Sequence, residues 1–231
     1  MSNNIVIGIE GLVGSGKTSI SRELLNYIPN SILLHGGNIY RAIVYSMINL
    51  TPDLKKVIKE AQSFDITKIM KEINLEVKLE NRETVVYVNG KKMSTENLQS
   101  QRSSIAVSAV SNVADNKNLY RFGKELIDKF KEDYNVILSS RDIVRMYPDV
   151  NYHFFITADL KERVKRKYIQ YNMQIPIEQI EETIIDRDRL QRESGYYDIH
   201  EITKVIDVTD CKSVEESTQK VLSHIKIEAT V

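Results

Sequence analysis

The chain has 231 residues, and its 32 lysines and arginines balance 32 aspartates and glutamates, so the formal net charge is zero. With 42% hydrophobic and 28% charged residues the composition is that of a globular protein, which excludes collagen-like, disordered and membrane-embedded classes. A balanced charge also disfavours non-specific nucleic-acid binding, which needs a surplus of cations to neutralise phosphates.

The sequence carries no targeting or zinc-binding signal. Its first four residues, Met-Ser-Asn-Asn, lack the basic and apolar regions of a signal peptide, and no run of about 18 apolar residues could span a membrane. The single cysteine, Cys211, cannot form an internal disulfide, and the four histidines have no zinc-ligand spacing. We therefore expect a cytoplasmic protein whose partners include neither a membrane nor a nucleic acid.

The first part of the chain alternates buried strands with helices. Residues 5–9 form a nearly continuous β-branched run, typical of a strand buried on both faces of a parallel sheet. Ile20, Leu24 and Leu25 then recur at helical spacing, and this helix ends at Pro29. Residues 31–34 predict a second buried strand, and residues 38–49 a second helix. This alternation predicts an α/β architecture.

The rest of the chain interrupts this pattern once and then resumes it. Residues 75–80 alternate apolar and polar side chains, residues 81–83 form a turn, and residues 84–88 lead to the turn dipeptide Asn89-Gly90. This predicts an antiparallel hairpin with one solvated face, inserted on the parallel core. After it we expect helices at 103–115, 120–130, 160–171, 177–192 and 214–225, and strands at 135–138, 152–156 and 204–206.

Residues 11–18, Gly-Leu-Val-Gly-Ser-Gly-Lys-Thr, match the phosphate-binding pattern G-x-x-x-x-G-K-[ST] between a predicted strand and a predicted helix. The glycines let successive N–H groups point into one concavity, and the helix N-terminus adds partial positive charge. Lys17 is expected to reach the β- and γ-phosphates, and the Thr18 hydroxyl to bind Mg²⁺. The expected ATP-binding residues are Gly11, Leu12, Val13, Gly14, Ser15, Gly16, Lys17, Thr18 and Ser19.

A phosphate loop does not identify a reaction, because GTPases, motor ATPases and small-molecule kinases all use it. The chain contains neither D-x-x-G nor N-K-x-D, which disfavours a guanine-specific switch, and it is short for a motor ATPase. A kinase would need an arginine-rich acceptor site, because two polyanionic phosphates must be brought within bonding distance.

Further motifs follow the phosphate loop. They are Leu34-His35-Gly36-Gly37-Asn38-Ile39-Tyr40-Arg41, Asn89-Gly90-x-x-Met93-Ser94, Ser111-Asn112-Val113-Ala114, Ser140-Arg141-Asp142, Pro148-Asp149, Glu162-Arg163, Arg187-Asp188 and Val205-Ile206-Asp207-Val208-Thr209. In this order, over residues 5–216, the chain resembles the bacterial cytidylate kinase family. The resemblance implies transfer of the ATP γ-phosphoryl group to CMP or dCMP, with Mg²⁺, giving ADP and the nucleoside diphosphate.

The resemblance also implies a fold, that of the P-loop nucleoside monophosphate kinases. This α/β fold has a parallel five-stranded core sheet flanked by helices, a small antiparallel sheet insertion and a helical lid. We expect a single domain over residues 1–231, with the monophosphate-binding insertion at about 67–100 and the lid at about 158–199. A monomer with small-molecule nucleotides as its partners is expected.

Several residues match family positions on the acceptor side. Arg41, Arg141 and Arg187 match arginines that hold the acceptor phosphate, and Ser111 and Asp142 match residues that read the cytosine edge. A carboxylate can accept a hydrogen bond from the N4 amino group of cytosine. The expected monophosphate-binding residues are Arg41, Ser111, Arg141, Asp142, Arg187 and Asp188.

Arg163, together with Arg166, matches lid arginines that neutralise charge on the transferring group. Phosphoryl transfer needs in-line positioning and dispersed positive charge rather than a strong base. The expected catalytic residues are therefore Lys17, Arg141, Arg163 and Arg187.

The chain departs from the family pattern around the base and the metal. His35-Gly36-Gly37 replaces the usual Asp-[Ser/Thr]-Gly, so a hydroxyl expected near the base and an acid are missing. Ser139 replaces an acidic or small residue, which leaves Glu10 and Asp142 as the nearest candidates for a carboxylate beside Mg²⁺.

Further departures concern the sugar and the base. Gln191 and Ser194 replace a ribose-binding Asp and its companion Arg, and a family arginine falls on Tyr120. Two alternatives therefore stay open: a P-loop kinase acting on another small acceptor, and a nucleotide-binding regulatory relative with weak catalysis.

Overall fold

The structure is a computed structural model that describes residues 4–50, 66–94, 97–98, 107 and 117–226. Its strands are β1 (Val6–Gly11), β2 (Ser31–His35), β3 (Leu75–Glu80), β4 (Glu83–Val88), β5 (Lys91–Lys92), β6 (Asn135–Ser139), β7 (Tyr152–Thr157) and β8 (Thr203–Asp207). Its α-helices are α1 (Lys17–Glu23), α2 (Gly36–Leu50), α3 (Ile66–Glu72), α4 (Lys117–Lys131), α5 (Ile143–Met146), α6 (Leu160–Gln170), α7 (Ile177–Glu193) and α8 (Val214–Leu222). These eight strands form one sheet.

Five parallel strands make up the centre of the sheet, in the order β2-β6-β1-β7-β8. Successive residues of a strand point to opposite faces, so Ile7 and Leu33 pack with Ile20 of α1, whereas Val6 packs with Ile43 of α2. Because helices cover both faces, β1 is buried along its whole length. The predicted parallel five-stranded core is confirmed.

The predicted antiparallel hairpin is formed by β3 and β4, with Leu75 opposite Val88. Its two-residue turn needs positive φ at both positions, which Asn81 (49°) and Arg82 (66°) adopt. Parallel pairing of Leu33 with Glu83 attaches β4 to β2, so the hairpin extends the central sheet.

Side-chain contacts also join the hairpin to the parallel core. The Glu83 carboxylate accepts hydrogen bonds from Arg22 at 2.7 and 2.9 Å and lies 2.8 Å from Nε2 of His35. The hydrogen bonds from Arg22, followed by that from His35, lower the pKa of Glu83 to about 2. His35, where the family pattern has an acid, therefore links the two parts of the sheet.

The carboxyl ends of four core strands lie side by side. Gly11 at the end of β1 pairs with Ile156 of β7, and His35 at the end of β2 pairs with Ser139 at the end of β6. Ligands of open α/β sheets bind at this edge, in the crevice outside the strand ends. The segments that follow these strands therefore form the candidate site.

Most predicted elements agree with the observed ones within a few residues. The clearest difference is α1, predicted to run to Pro29, which ends at Glu23 and is followed by a 3-10 turn at Leu24–Asn26. Helix α8 also ends early, at Leu222 and not at residue 225. The short elements α3, β5 and α5 were not predicted, because two to seven residues carry little periodic signal. The helix predicted at 103–115 lies outside the described residues. Within the described ranges, no helix combines the length and the apolarity that a membrane span requires.

Candidate phosphoryl-transfer site

The loop between β1 and α1 depends on its glycines. Gly11, Gly14 and Gly16 have φ values of 141°, 80° and 96°, which residues other than glycine rarely adopt. A Cβ on Gly11 would lie 2.1 Å from the carbonyl oxygen of Ile156. Because residue 11 is glycine, β7 can approach closely, and the N–H of Leu12 donates to that same carbonyl at 3.0 Å.

Lys17, the first residue of α1, bends back over this loop. Its Nζ donates to the carbonyl oxygens of Gly11 and Leu12, each at 2.7 Å. Burial of the ammonium group, followed by repulsion from Arg141 and Arg187, lowers its pKa well below the usual range. Lys17 is thus held at the loop by neutral carbonyl groups, in a positive electrostatic environment.

The acceptor-side arginines meet next to this lysine. Arg41 lies on α2, Arg141 two residues after β6 and Arg187 on α7, yet the charges of all three influence one another. Burial, followed by repulsion from Arg141 and Arg187, lowers the pKa of Arg41 to about 9. Burial and then repulsion from Arg141 lower the pKa of Arg187 to about 10. The structure therefore brings together three of the residues that the sequence singled out for the acceptor phosphate.

A fifth cation, Lys167 of α6, joins this group and was not among the predicted site residues. Burial, followed by repulsion from Arg187 and Arg41, lowers its pKa to about 8. The sequence contained only an indirect signal, since Lys167 lies one helical turn after Arg163 within a basic run that could equally be a solvated helix face. We call Lys17, Arg41, Arg141, Lys167 and Arg187 the cation cluster.

A largely apolar cavity, partly open to solvent, adjoins Arg141. Its apolar wall is formed in part by Leu34, Leu119, Phe122, Ile127 and Met146. Polar atoms also lie along it: the Tyr40 hydroxyl, Nε of Arg141 and Oε1 of Gln191 are buried without a hydrogen-bond partner among the described residues. Buried polar atoms normally have partners, so these atoms indicate a site for a polar ligand.

Asp142 stands at the start of α5 with φ of 55°, buried near this cavity. Its Oδ2 accepts a hydrogen bond from the Tyr120 hydroxyl, and its Oδ1 lies 3.4 Å from a guanidinium nitrogen of Arg145. Burial raises the pKa of Asp142 against the opposing effect of the Tyr120 hydrogen bond. Tyr120, which occupies the position of a family arginine, is thus a direct partner of the predicted base-reading carboxylate.

Asp188 and Arg163 contact the phosphate loop and each other. Oδ1 of Asp188 accepts from the backbone N–H of Val13 at 3.1 Å and from the hydroxyl of Tyr197 at 2.6 Å. Nη1 of Arg163 donates to Oδ2 of Asp188 at 2.5 Å and to the carbonyl oxygen of Val13 at 3.0 Å. This buried network, the loop clamp, fixes α6 and α7 to the middle of the loop.

Arg166 adds a second contact between α6 and the loop. It donates to the carbonyl oxygen of Ser15 at 3.1 Å and to that of Val208 at 2.8 Å. The two arginines expected to act on the transferring group therefore both donate to loop carbonyls. Sequence order could not reveal this, because the loop and α6 lie about 150 residues apart.

The described residues contain no group of three or more His, Cys, Asp or Glu side chains that could hold a metal ion. Mg²⁺ takes most of its ligands from phosphate oxygens and water, so a single hydroxyl such as that of Thr18, in the first turn of α1, fits an ion that arrives with a nucleotide. Glu10 is buried, accepts the N–H of Ile143 and lies 3.2 Å from Nε2 of His153. Through these contacts the Glu10 carboxylate, a candidate partner of Mg²⁺ in the sequence analysis, connects the end of β1 to the start of α5.

Ser111, predicted to read the base, lies outside the described residues.

The fold, the glycine-dependent phosphate loop and the cation cluster beside it define the class of protein: a P-loop phosphotransferase that brings a nucleoside triphosphate to an anionic acceptor.

Comparison with known proteins agrees and is more specific. The family model for cytidylate kinase matches residues 7–227. A cytidylate kinase of Mycoplasmopsis pulmonis is 28% identical over 230 residues, covering 96% of each chain. One of Clostridioides difficile is 28% identical over 241 residues, covering 97% of this chain and 99% of its own. One of Caldicellulosiruptor bescii is 29% identical over 228 residues, covering 94% of each chain. The chain belongs to the cytidylate kinase family.

Proposed function

We propose that the chain transfers the γ-phosphoryl group of ATP to CMP or dCMP, giving ADP and CDP or dCDP. One observation carries the proposal: Arg41, Arg141 and Arg187 are crowded beside Lys17, next to a largely apolar cavity that Arg141 lines. Like charges at short range are unfavourable in the free protein but favourable once two polyanionic phosphates lie among them. Family membership supports cytidine as the nucleoside.

In the proposed mechanism, positioning and charge neutralisation do the catalytic work. Backbone N–H groups of Gly14, Gly16 and Lys17 bind the β- and γ-phosphates, whereas those of Leu12, Val13 and Ser15 already donate to groups within the protein. The Lys17 ammonium exchanges the carbonyl oxygens of Gly11 and Leu12 for phosphate oxygens. The three arginines of the cluster hold the acceptor phosphate in line. Thr18 would hold Mg²⁺, which supplies further positive charge to the phosphates when bound.

We further propose that α6 and α7 belong to a lid over the reacting phosphates, within residues 158–199. Excluding water would prevent hydrolysis of the γ-phosphoryl group. The loop clamp supports a different assignment for Arg163 and Asp188 than direct contact with substrate, because their polar atoms already bind the loop and each other. We assign them to shaping the loop that binds ATP. ATP and cytidine monophosphates are intracellular metabolites, so we propose that the enzyme acts in the cytoplasm.

The test is a coupled ADP-release assay with ATP, Mg²⁺ and a panel of acceptors: CMP, dCMP, UMP, dTMP, AMP and shikimate. Lys17→Ala is the matched control, because it removes transition-state charge stabilisation without removing core packing, and its turnover should fall by roughly two orders of magnitude or more. We expect CMP or dCMP to be turned over at least about tenfold faster than any other acceptor, as cytosine recognition by the site would require.

Each other outcome has a defined meaning. Turnover of a different acceptor alone would replace the proposal with a P-loop kinase of another substrate. Nucleotide binding without turnover of any acceptor would favour a regulatory relative, the alternative that Ser139 and His35 leave open.

A further inference from the structure

The ends of β2 and β6 bring Gly36 and Ser140 into direct contact. Their last paired residues are His35 and Ser139, so the next residue of each segment leaves the sheet at the same level. A Cβ built on Gly36 would lie 2.5 Å from Oγ and 2.8 Å from Cβ of Ser140. Two side chains cannot share this space, so the serine at 140 occupies the volume that a side chain at 36 would need.

The Ser140 hydroxyl can still form a strong hydrogen bond with a ligand. Among the described residues its hydrogen bond is to the carbonyl oxygen of Arg141 at 3.5 Å, which is long and weak. Ser140 lines the cavity together with Gly36 and Arg141. Gln191, whose Oε1 has no hydrogen-bond partner among the described residues, lines the same cavity. A hydroxyl can both donate and accept, so it suits a base edge that carries both kinds of group.

We propose that the Ser140 hydroxyl hydrogen-bonds the pyrimidine base of the acceptor nucleotide. It supplies from the end of β6 the base-side hydroxyl that the chain lacks at Gly36. This inference rests on the proposed function, because it requires a pyrimidine nucleotide in the cavity beside the cation cluster.

Ser140→Ala tests the contact most directly, since it removes only the hydroxyl. We expect KM for CMP to rise roughly three- to tenfold, the effect of losing one neutral hydrogen bond, while KM for ATP and the melting temperature stay at wild-type values. Ribose 5-phosphate, which carries the sugar phosphate without the base, should inhibit both proteins equally. Ser223→Ala, which removes an exposed hydroxyl at the end of α8, is the control and should match the wild type throughout.

Exchanging the residues at positions 36 and 140 tests whether a hydroxyl from either position can occupy the same space. Ser140→Gly alone should raise KM for CMP at least as much as Ser140→Ala, and Gly36→Ser alone should impair the protein because the two side chains collide. The double variant Gly36→Ser/Ser140→Gly restores a hydroxyl to the same volume from the opposite side. We expect its KM for CMP to return to within roughly threefold of the wild type, less than the effect of one lost hydrogen bond.

Two results would overturn the inference in an enzyme that phosphorylates CMP. One is an unchanged KM for CMP in Ser140→Ala, and the other is an equal loss of affinity for ribose 5-phosphate. Failure of the wild type to phosphorylate CMP or dCMP contradicts the proposed function itself and removes the inference with it, so the two failures are distinguishable.

Discussion

A buried guanidinium group surrounded by others raises the free energy of the unliganded protein, and Arg41 illustrates this. Its pKa of about 9 reflects burial and the repulsion of Arg141 and Arg187, while its Nη1 donates to the carbonyl oxygen of Leu98 at 2.8 Å. Side chains kept in such surroundings are typical of functional sites, where a ligand of opposite charge reverses the balance.

Arg41→Ala should therefore weaken CMP binding without unfolding the chain. Losing a charge-assisted contact is expected to cost about 1.5–3 kcal/mol of binding free energy, measured by calorimetry with CMP. The free energy of unfolding should stay within about 1 kcal/mol of the wild type, because relief of repulsion offsets the lost contact to Leu98. Arg189→Ala, a substitution of an arginine that is 59% exposed on α7, is the charge-matched control. Unchanged CMP affinity in Arg41→Ala would refute its acceptor role.

At the scale of secondary-structure elements, α6 and α7 act on the phosphate loop through the loop clamp. The ion pair of Arg163 and Asp188 is buried, and both oxygens of Asp188 also position neighbouring groups: the Val13 N–H, the Tyr197 hydroxyl and Arg163 itself. Removing one partner of a buried ion pair leaves the other charge without compensation, which is usually more damaging than losing a surface pair.

Asp188→Asn keeps the shape of the side chain and removes its charge. We expect the free energy of unfolding to fall by about 3 kcal/mol and KM for ATP to rise, because Arg163 and the Val13 N–H lose their anionic partner. Asp186→Asn on the same helix, 68% exposed, should change neither quantity. Thermal denaturation and initial-rate kinetics measure both effects, and equal stability of the two variants would show that the clamp is dispensable.

At the scale of the whole molecule, a net charge of zero conceals an uneven distribution. The cation cluster gathers five basic side chains at the carboxyl edge of the sheet, where the pKa values of Lys167, Arg41 and Arg187 fall to about 8, 9 and 10. Charged forms of these groups are disfavoured in the free protein, so an anion that binds among them should stabilise the fold.

Sulfate should raise the melting temperature more than chloride at equal ionic strength. At about 100 times its dissociation constant, it would add about 2.7 kcal/mol to the free energy of unfolding. Anion binding favours the protonated cations, so this gain should be complete below about pH 8 and decline as the pH rises through the lowered pKa values of Lys167 and Arg41. Lys167→Met should lose part of the gain, whereas Lys165→Met, 68% exposed, should keep it. An equal response in both variants would contradict the cluster as the binding site.

The local pattern of residue types along the sequence was sufficient to predict much of the fold. Continuous β-branched runs marked the parallel strands, alternation marked the hairpin, and the spacing of glycines around Lys17 marked the phosphate loop, because each depends on neighbours within one element. The resemblance added the three acceptor-side arginines. The sequence pattern could not show that the hairpin joins the edge of the parallel sheet, because strand order depends on contacts between segments that are distant in the chain.

What the sequence by itself determined is therefore the α/β class and the phosphate loop; through the resemblance it also predicted three arginines for the acceptor phosphate. Only the tertiary structure decided that Arg163 and Asp188 bind the loop, that Lys167 joins the cation cluster and that Ser140 fills the space beside Gly36. The physical reason is that propensity and periodicity act over a few residues. Ion pairs, charge repulsion and steric exclusion instead act between atoms that the chain brings together only after it has folded.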